Sequence, residues 1–522
     1  MLGEEKLPTF SVVQTRRNRP MSMRAFLPMV GLASMLSIVA LWGLEPFKAD
    51  FEGLESDFAT GERYYDLYLA GRTVGTAFQR VQKGETGWHI EEFSSIQIEG
   101  PGRIQAGEIE SELHLGEDRE TKAFALEIRS ANGNHRVAVA GERIPSGDIE
   151  IWIRSETDER LASKVDADMD LGFSTWLRLA ARGRLLPGTR TKINELDPTS
   201  LRVRTAAVQI LGEVAALDTS LAGGVLRHSG PLLHVRVEDA AGVRLVGFVE
   251  PSGWPVLLSA PQYRFDIVSR EHLEVAPAGD VLASALVDAI ELSAIPVAES
   301  HRALGPEDTL RVRLAGVPPA LRGQLVLDGA NQWTAGDFVI VNPERFPAAG
   351  EAGYRLNGPR PREMEPYLRA EPFIEADHPV IRNLAIALVG DETDPVVASR
   401  RILEYVHERL EKEYAPSLPS AIEALRSGSG DCNEHAALAV ALLRAAGVPS
   451  RVALGVVRQN ESWYYHAWPE VWLGGEWVAT DPTFGEIPAR THRVRLFYGL
   501  EHHRDVAALV GRLDLQDAGG RS

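Results

Sequence analysis

Short apolar runs alternate with turn-forming residues from residue 51 to about 290, and this pattern predicts β-strands. Tyr64–Leu69 and Arg72–Val81, separated by Ala-Gly, predict a hairpin. The other strand-like runs are Trp88–Ile98, Lys122–Arg129, His135–Val139, Ile149–Ile153, Leu201–Val208, Leu233–Val237 and Val243–Val249. Because Gly, Asp, Asn and Pro punctuate them, we predict one large antiparallel sheet in 51–290, curved or sandwiched. A short helix is predicted around Leu171–Ala181.

The next segment combines a small module with a proline-rich stretch. A small β module is predicted at 291–345, from the runs Arg311–Leu314, Gln324–Leu327 and Phe338–Val341. Prolines then recur through 346–375. Because proline interrupts helices and sheet ladders, this stretch is predicted to be a linker or an extended wrap without regular helix.

Helical periodicity begins at residue 376 and gives way to strands. The predicted helices are Pro379–Leu388, Pro395–Leu410, Ala421–Leu425 and Asn433–Ala446. Gly447 and Pro449 form a helix stop after the last of them. The predicted strands are Arg451–Val457, Tyr464–Leu473 and Glu476–Ala479, the last two joined by a Gly-Gly turn. We therefore predict an α+β domain at 376–500 and a polar tail at 501–522.

One continuous apolar segment, Ala25–Leu44, lies near the N-terminus. Its 20 residues would span roughly 30 Å as a helix, the thickness of a bilayer core. A basic segment, 1–24, precedes it and acidic residues follow, so the positive-inside rule predicts a cytoplasmic N-terminus. The sequence thus predicts a transmembrane helix at 25–44, in the inner membrane, with the later domains periplasmic or extracytoplasmic. A cleaved signal peptide is the alternative, although no small-x-small cleavage site is evident.

Composition narrows the classes of function. The 522 residues are 44% hydrophobic and 25% charged, as expected of folded domains, and carry a formal net charge of −18. Such acidity argues against nucleic acid as a partner. A single cysteine excludes intrachain disulfides and CxxC metal clusters. We predict no metal and no cofactor, and we interpret the Asp, Glu and His side chains of 51–290 as solvated strand faces.

The single cysteine, Cys432, lies where the Gly-rich loop Ser427–Asp431 enters a predicted helix. The free N–H groups and the dipole of a helix N-terminus favour an anion, so they are expected to lower the thiol pKa and to stabilise an oxyanion. Gly428 and Gly430 would let the backbone approach a substrate carbonyl. The alternative is a buried structural cysteine, which the polar neighbours of Cys432 make less favourable.

Two further residues complete a catalytic pattern. His466 lies in a predicted strand and can accept a proton from a thiol on a facing helix. Asp481 follows the next strand of the hairpin, so its carboxylate can hold the imidazole and stabilise the imidazolium ion. The order Cys, His, Asp in suitable elements predicts a triad of Cys432, His466 and Asp481.

The sequence around these residues resembles the transglutaminase-like superfamily. The matching motifs are GDCNEHAAL at Gly430–Leu438, AGVPSRV at Ala446–Val452 and HAWPEVWLGGEWVATDPT at His466–Thr483. The resemblance covers about a quarter of the chain. It implies a papain-like α+β core, in which the helix bearing Cys432 packs against a sheet bearing His466 and Asp481. The family also has an upstream oxyanion donor, for which Tyr414 is a weak candidate.

The resemblance implies a cysteine enzyme without fixing its reaction, because the superfamily includes cross-linkers, peptidases, amidases and inactive scaffolds. We expect a membrane-anchored enzyme that acts on amide or peptide bonds through a thioester. Its substrate would be a protein or peptide, and it would be a hydrolase or peptidase rather than a cross-linker. The alternative is a catalytically silent envelope scaffold or binding protein. A β region that carries a lipid or polysaccharide is a third hypothesis.

Overall fold

The chain is mainly antiparallel β-structure. In the computed structural model, the described residues are 57–100, 103–130, 136–154, 159–166, 169–172, 174–221, 224–239, 242, 244–275, 293–297, 305, 308–359, 361–413 and 418–517. Strands account for 50% of the structure and helices for 20%. The predicted α+β class therefore needs correction for the chain as a whole, because the α+β domain occupies only its C-terminal part.

A single antiparallel sheet of 15 strands forms the N-terminal part. Its strands are β1 (Gly61–Leu69), β2 (Arg72–Gly84), β3 (Gly87–Gly100), β4 (Arg103–Gly116), β5 (Thr121–Ser130), β6 (Arg136–Arg143), β7 (Asp148–Arg154), β8 (Glu159–Asp166), β9 (Arg190–Asp197), β10 (Arg202–Leu221), β11 (Gly224–Asp239), β12 (Arg244–Val249), β13 (Pro255–Ala260), β14 (Phe265–Ser269) and β15 (Leu273–Val275). The order is β8-β7-β6-β5-β4-β3-β2-β1-β14-β13-β12-β11-β10-β9, and β15 pairs with β11. The predicted β1–β2 hairpin is confirmed.

Strand content is higher than the sequence pattern predicted because several strands carry polar residues on one face. β4 reads RIQAGEIESELHLG and β9 reads RTKINELD, and neither contains an apolar run. Each is identified as a strand only by its hydrogen-bonded pairing with a neighbouring strand. Alternating burial in β5 follows the same principle, with its buried side chains facing the core and the intervening ones facing solvent.

Three smaller sheets follow. The first contains β16 (Ile295–Pro296), β22 (Ser450–Gln459), β23 (Ser462–Leu473), β24 (Glu476–Ala479) and β25 (Arg493–Tyr498), in the order β16-β23-β22-β25, with β24 also paired to β23. The second contains β17 (Leu310–Ala315), β18 (Gln332–Ala335), β19 (Phe338–Val341) and β26 (Asp514–Asp517), in the order β18-β19-β17-β26. The third is the parallel pair β20 (Glu411–Lys412) and β21 (Ser429–Gly430).

The helices concentrate in the C-terminal part. They are α1 (Ser174–Ala181), α2 (Pro319–Arg322), α3 (Pro379–Val389), α4 (Pro395–Arg409), α5 (Ala421–Ser427), α6 (Cys432–Ala445) and α7 (His503–Ala507), with 3-10 turns at Pro261–Tyr263, Arg270–His272, Arg362–Leu368 and Leu500–His502. The helices predicted from residue 376 onward are confirmed to within one or two residues at most ends. Helix α6 packs against α3, α4, α5 and the sheet formed by β22 and β23.

The C-terminal residues differ from the predicted polar tail. Helix α7 is buried, and β26 pairs with β17, so the end of the chain completes the small β module. The same residues contact the large sheet. Arg504 pairs with Asp239 of β11 at 2.9 Å, and Asp505 pairs with Arg204 of β10 at 3.1 Å. The β-rich part and the C-terminal α+β domain therefore share a partly charged interface.

The prediction of a single-pass inner-membrane protein is corrected. No helix in the ranges described is long and apolar enough to cross a membrane. The longest of them, α4, has 15 residues, or about 22 Å of helix, and carries several charged side chains. The segment predicted as a transmembrane helix, 25–44, lies outside the described residues. The structure therefore gives no support to an inner-membrane, periplasmic or extracytoplasmic location.

Candidate active site

Cys432 is the first residue of α6, and local sequence determines where this helix begins. The Asp431 side chain accepts a hydrogen bond from the Asn433 backbone at 2.7 Å, and Glu434 accepts one from the Asp431 backbone at 2.9 Å. These bonds form a capping box. A side chain at Gly430 would meet the Glu434 side chain, its Cβ lying 2.4 Å from that of Glu434. The close approach of Glu434 therefore accounts for the glycine at position 430.

The Cys432 thiol is fully buried in the hydrophobic core. Burial raises the pKa of the thiol well above its ordinary value, and the nearby Asp431 carboxylate raises it further. A hydrogen bond from the Ala467 backbone acts in the opposite direction. The expectation that the helix N-terminus would lower the thiol pKa is therefore not met in this closed structure, in which burial has the largest effect on the thiol pKa.

His466 lies on β23 and is bonded to Asp481. Its Nε2 atom lies 2.7 Å from Oδ2 of Asp481, and both side chains are fully buried. The other ring nitrogen, Nδ1, is buried and has no hydrogen-bond partner in the part of the chain described here. Because a carboxylate accepts only, Nε2 carries the proton and Nδ1 is left as an acceptor. The backbone of the next residue, Ala467, is the one that contacts the Cys432 thiol.

A second donor, Arg493, shares the same carboxylate oxygen. Arg493 on β25 donates to Oδ2 of Asp481 at 2.6 Å, and its two terminal nitrogens each lie 3.0 Å from Glu486. Burial by itself would raise the pKa of Asp481, but His466 and Arg493 lower it to about 2. Asp481 is therefore ionised throughout the neutral range.

Aromatic rings enclose the imidazole. Phe484 lies with its ring centroid 5.1 Å from that of His466, and Trp468 lies at 6.0 Å on the same strand as His466. Trp468 is buried, so it packs beside the imidazole. Trp477 lies away from the imidazole, in contact with Tyr367 and Trp472.

Two other histidines near the site, His435 and His503, have structural partners. Nδ1 of His435, one turn from Cys432 on α6, bonds to the Asp431 carbonyl oxygen at 2.7 Å. Burial lowers the pKa of His435 to about 4, so it is neutral at pH 7. His503 bonds to the Asn433 side chain at 2.9 Å, which connects α7 to the start of α6. Tyr414, the weak oxyanion candidate, lies outside the described residues.

Arg493 is the principal site residue that the sequence analysis missed. It occurs in RVRLFY, where arginines alternate with apolar residues in a strand whose first five residues are buried. A buried arginine needs a carboxylate partner, so this pattern was an available signal. The sequence did not identify Asp481 as that partner, because Asp481 lies on a separate segment beyond β24.

The segment that contains the predicted triad matches a known protein superfamily. Residues 382–482 match the core of the transglutaminase-like superfamily, which confirms the resemblance for the C-terminal part of the chain. This segment includes Cys432, His466 and Asp481. The match shows that this segment of the C-terminal domain is similar to the transglutaminase-like superfamily. A comparison with curated proteins gives no match.

Comparison with solved structures gives distant similarities. A candidate cysteine protease from Cytophaga hutchinsonii has 15% identity and a TM-score of 0.27, over 41% of this chain and 90% of that protein. A β-barrel-like protein of a domain of unknown function from Brucella abortus has 10% identity and a TM-score of 0.31, over 43% of this chain and 100% of that one. A candidate protease from Parabacteroides distasonis has 12% identity and a TM-score of 0.19, over 67% and 64%. The assignment therefore rests on residues 382–482.

A partly buried carboxyl group beside the site gives a pH prediction. Oε2 of Glu344 accepts a hydrogen bond from the Ala479 backbone at 2.7 Å, and burial followed by the Glu470 charge raises the pKa of Glu344 to about 8. A raised pKa of this kind contributes stability that is fully present below the pKa of the unfolded state, about 4.5. This contribution is lost as the pH rises through about 8, the pKa in the folded state. Glu344→Gln should therefore remove roughly 2 kcal/mol of the stability loss between pH 6 and pH 8.

Urea unfolding at several pH values measures this effect. Glu351→Gln is the matched control, because Glu351 is exposed and its pKa is lowered by the Ala348 backbone and Arg345. The control should retain the pH slope of the unaltered protein between pH 6 and pH 8. Parallel curves for Glu344→Gln and the unaltered protein would contradict the assignment.

Proposed function

We propose that this chain is a cysteine hydrolase of the transglutaminase-like type that cleaves amide or peptide bonds through a thioester on Cys432. In this proposal His466 is the general base and acid, and Asp481 holds its ring. The proposal rests on the imidazole of His466, which has one ring nitrogen left to accept a proton. Nε2 is occupied by Asp481, so the buried Nδ1 remains for the thiol proton.

The proposed chemistry is balanced in two steps. Nδ1 of His466 takes the Cys432 proton as the sulfur attacks the carbonyl carbon, and the imidazolium then returns that proton to the leaving amine. The products are a thioester and a free amine. Water next attacks the thioester, giving one proton to His466, and the thiol leaves with that proton as the carboxylic acid is released. The Cys432 backbone N–H is the proposed oxyanion donor, because the N–H groups of Asp431 and Asn433 are already bonded within the helix cap.

Full burial of the site imposes a condition on this chemistry. Cys432, His466 and Asp481 each have 0% exposed surface, so the residues that cover them must move before a substrate can enter. Admission of a substrate also alters the solvation of the thiol, whose pKa is raised by burial in the closed state. In the proposal, the closed state is inactive, and proton transfer to His466 follows opening.

The same burial favours a second candidate function, a binding or scaffold protein whose transglutaminase-like domain is catalytically silent. A buried thiol with a raised pKa is typical of a structural cysteine. The large 15-stranded sheet would then supply the binding surface. The two proposals differ in whether Cys432 ever becomes covalently modified by a substrate.

A peptide-library experiment separates these functions. The unaltered protein and Cys432→Ala are incubated with a library of unfolded peptides, and products are identified by mass spectrometry. The proposal expects new chain termini or deamidated side chains that are absent with Cys432→Ala. New isopeptide bonds would instead make the protein a transferase. No difference between the two proteins would favour the silent scaffold.

A further inference from the structure

The large sheet has an interruption where one strand changes partners. Strand β12 ends at Val249, which pairs with Leu233 of β11. Strand β15 begins at Leu273, which pairs with Leu226 of the same strand β11. Between Leu226 and Leu233, this edge of β11 pairs with neither β12 nor β15. His228 lies on β11 within that interval.

Two further polar residues flank the interruption. Glu250 immediately follows the end of β12, and His272 immediately precedes β15. The three residues come from separate segments of the chain, yet their side chains converge. One potential ligand atom from each lies within 4.8 Å of the others. The side chains are 10%, 20% and 21% exposed for His228, Glu250 and His272, so the group is partly enclosed.

The distances within the group suit a shared ion better than direct hydrogen bonds. Nε2 of His228 lies 3.8 Å from Oε1 of Glu250, and Nε2 of His272 lies 3.6 Å from the same oxygen. Both separations are too long for a hydrogen bond. Two ligands on a tetrahedral zinc ion are roughly 3.4 Å apart, given metal–ligand distances of about 2.0–2.2 Å. Movements of a few tenths of an ångström would therefore bring each imidazole nitrogen to this separation from Oε1 of Glu250, and the two imidazoles offer ligand atoms within 4.8 Å of each other.

Supporting contacts orient these side chains. The Ser252 hydroxyl donates to Oε2 of Glu250 at 2.9 Å, which leaves Oε1 directed at both imidazoles. A tight turn fixes the Glu250 backbone through bonds with Trp254 and Gly253 at 2.8 and 2.9 Å. Hydrogen-bonded carboxylates of this kind are typical supports of metal ligands.

We propose that His228, Glu250 and His272 bind a divalent transition-metal ion, with Zn²⁺ as the ion that fits best. Two imidazoles and one carboxylate form a recognised zinc ligand set that leaves a fourth position for water. The ion would join β11, β12 and β15 at the interruption of the sheet. This site is separate from Cys432 and does not depend on the proposed hydrolysis. It replaces the interpretation of these residues as solvated strand faces.

A second histidine pair provides a matched comparison. His89 and His114 are cross-strand neighbours that lie near Glu112 on β3 and β4. Their rings are stacked at 4.3 Å, and the side chains of Glu112 and His114 are about half exposed. We expect this second group to bind zinc more weakly. The variant His89→Ala/His114→Ala removes it while leaving His228, Glu250 and His272 intact.

The test is calorimetric titration of untagged, full-length protein with Zn²⁺, in the His89→Ala/His114→Ala background. One zinc ion is expected to bind, and His272→Ala should weaken binding by about 100-fold or more. Glu250→Gln provides a second variant of almost unchanged size, and about a tenfold loss is expected because the carboxylate charge is removed. Thermal unfolding without metal checks that each variant is folded.

Cobalt substitution identifies the ligands independently. Co²⁺ at the proposed site should give visible d–d absorption without a thiolate charge-transfer band, whereas binding at Cys432 would produce that band. The proposal is overturned if the background protein binds no zinc, if His272→Ala and Glu250→Gln bind it as tightly as the background protein, or if the cobalt spectrum contains the thiolate band.

Discussion

His466→Ala is expected to reduce product release by roughly 10⁴-fold or more, almost as completely as Cys432→Ala. The reason lies in the burial of the thiol. Because desolvation raises the pKa of Cys432, the sulfur is not a thiolate without help, and its proton needs a nearby acceptor. In the proposal that acceptor is Nδ1 of His466, which is buried without a hydrogen-bond partner among the described residues. Mass spectrometry of a cleaved peptide measures the rate in each variant.

Asp481→Asn should be milder. A single oxygen, Oδ2, accepts hydrogen bonds from both His466 and Arg493. Arg493 can only donate, so it should hold the amide oxygen of Asn at that position and preserve the imidazole tautomer. Loss of the charge is then expected to raise the activation free energy by about 2 kcal/mol, which lowers the rate roughly 30-fold.

His435→Ala is the control for the triad series, because His435 lies one turn from Cys432 but bonds to the Asp431 carbonyl oxygen. It should retain most of the activity. The rate of iodoacetamide alkylation against pH provides a readout that needs no substrate. Identical profiles for the unaltered protein and His466→Ala, with a midpoint near the free-thiol value of about 8.5, would favour the silent scaffold.

Arg493→Met is expected to lower the free energy of unfolding by about 3–5 kcal/mol. Arg493 is buried against Asp481 and Glu486, and its removal leaves the Asp481 carboxylate without its permanent cation. Arg490→Met is the matched control. Arg490 contacts the same Glu486 at 3.2 Å, but its side chain is 54% exposed, so its loss should cost about 0–1 kcal/mol. Urea unfolding at pH 7 compares the two variants.

The pH dependence tests the cause of this effect. The pKa of Asp481 is lowered to about 2, so the associated stability is present above the ordinary value of 3.8 and is lost as the pH falls through about 2. Without Arg493 the pKa of Asp481 should return toward its ordinary value. The stability difference between the unaltered protein and Arg493→Met should therefore shrink as the pH falls from about 4 to about 2. A difference independent of pH would indicate lost packing instead of lost charge.

The local sequence determined several features by itself. The capping residues before Cys432 set the start of α6, and Gly474-Gly475 set the turn between β23 and β24. Both depend on hydrogen bonds and backbone angles within a few residues, which sequence patterns report directly. The superfamily match likewise follows from motifs within 382–482.

The meeting of distant segments could be seen only in the folded chain. Strand β26 completes a sheet that begins some 200 residues earlier in the chain, and polar strands such as β9 are stabilised by their neighbours. Burial of Cys432 depends on elements from across the fold, so the sequence could not show that desolvation raises the thiol pKa. The pairing of Arg493 with Asp481 and the convergence of His228 with His272 have the same origin. A sequence pattern reports the periodicity of one segment, whereas electrostatic partners and solvent exclusion depend on all the segments packed around a group.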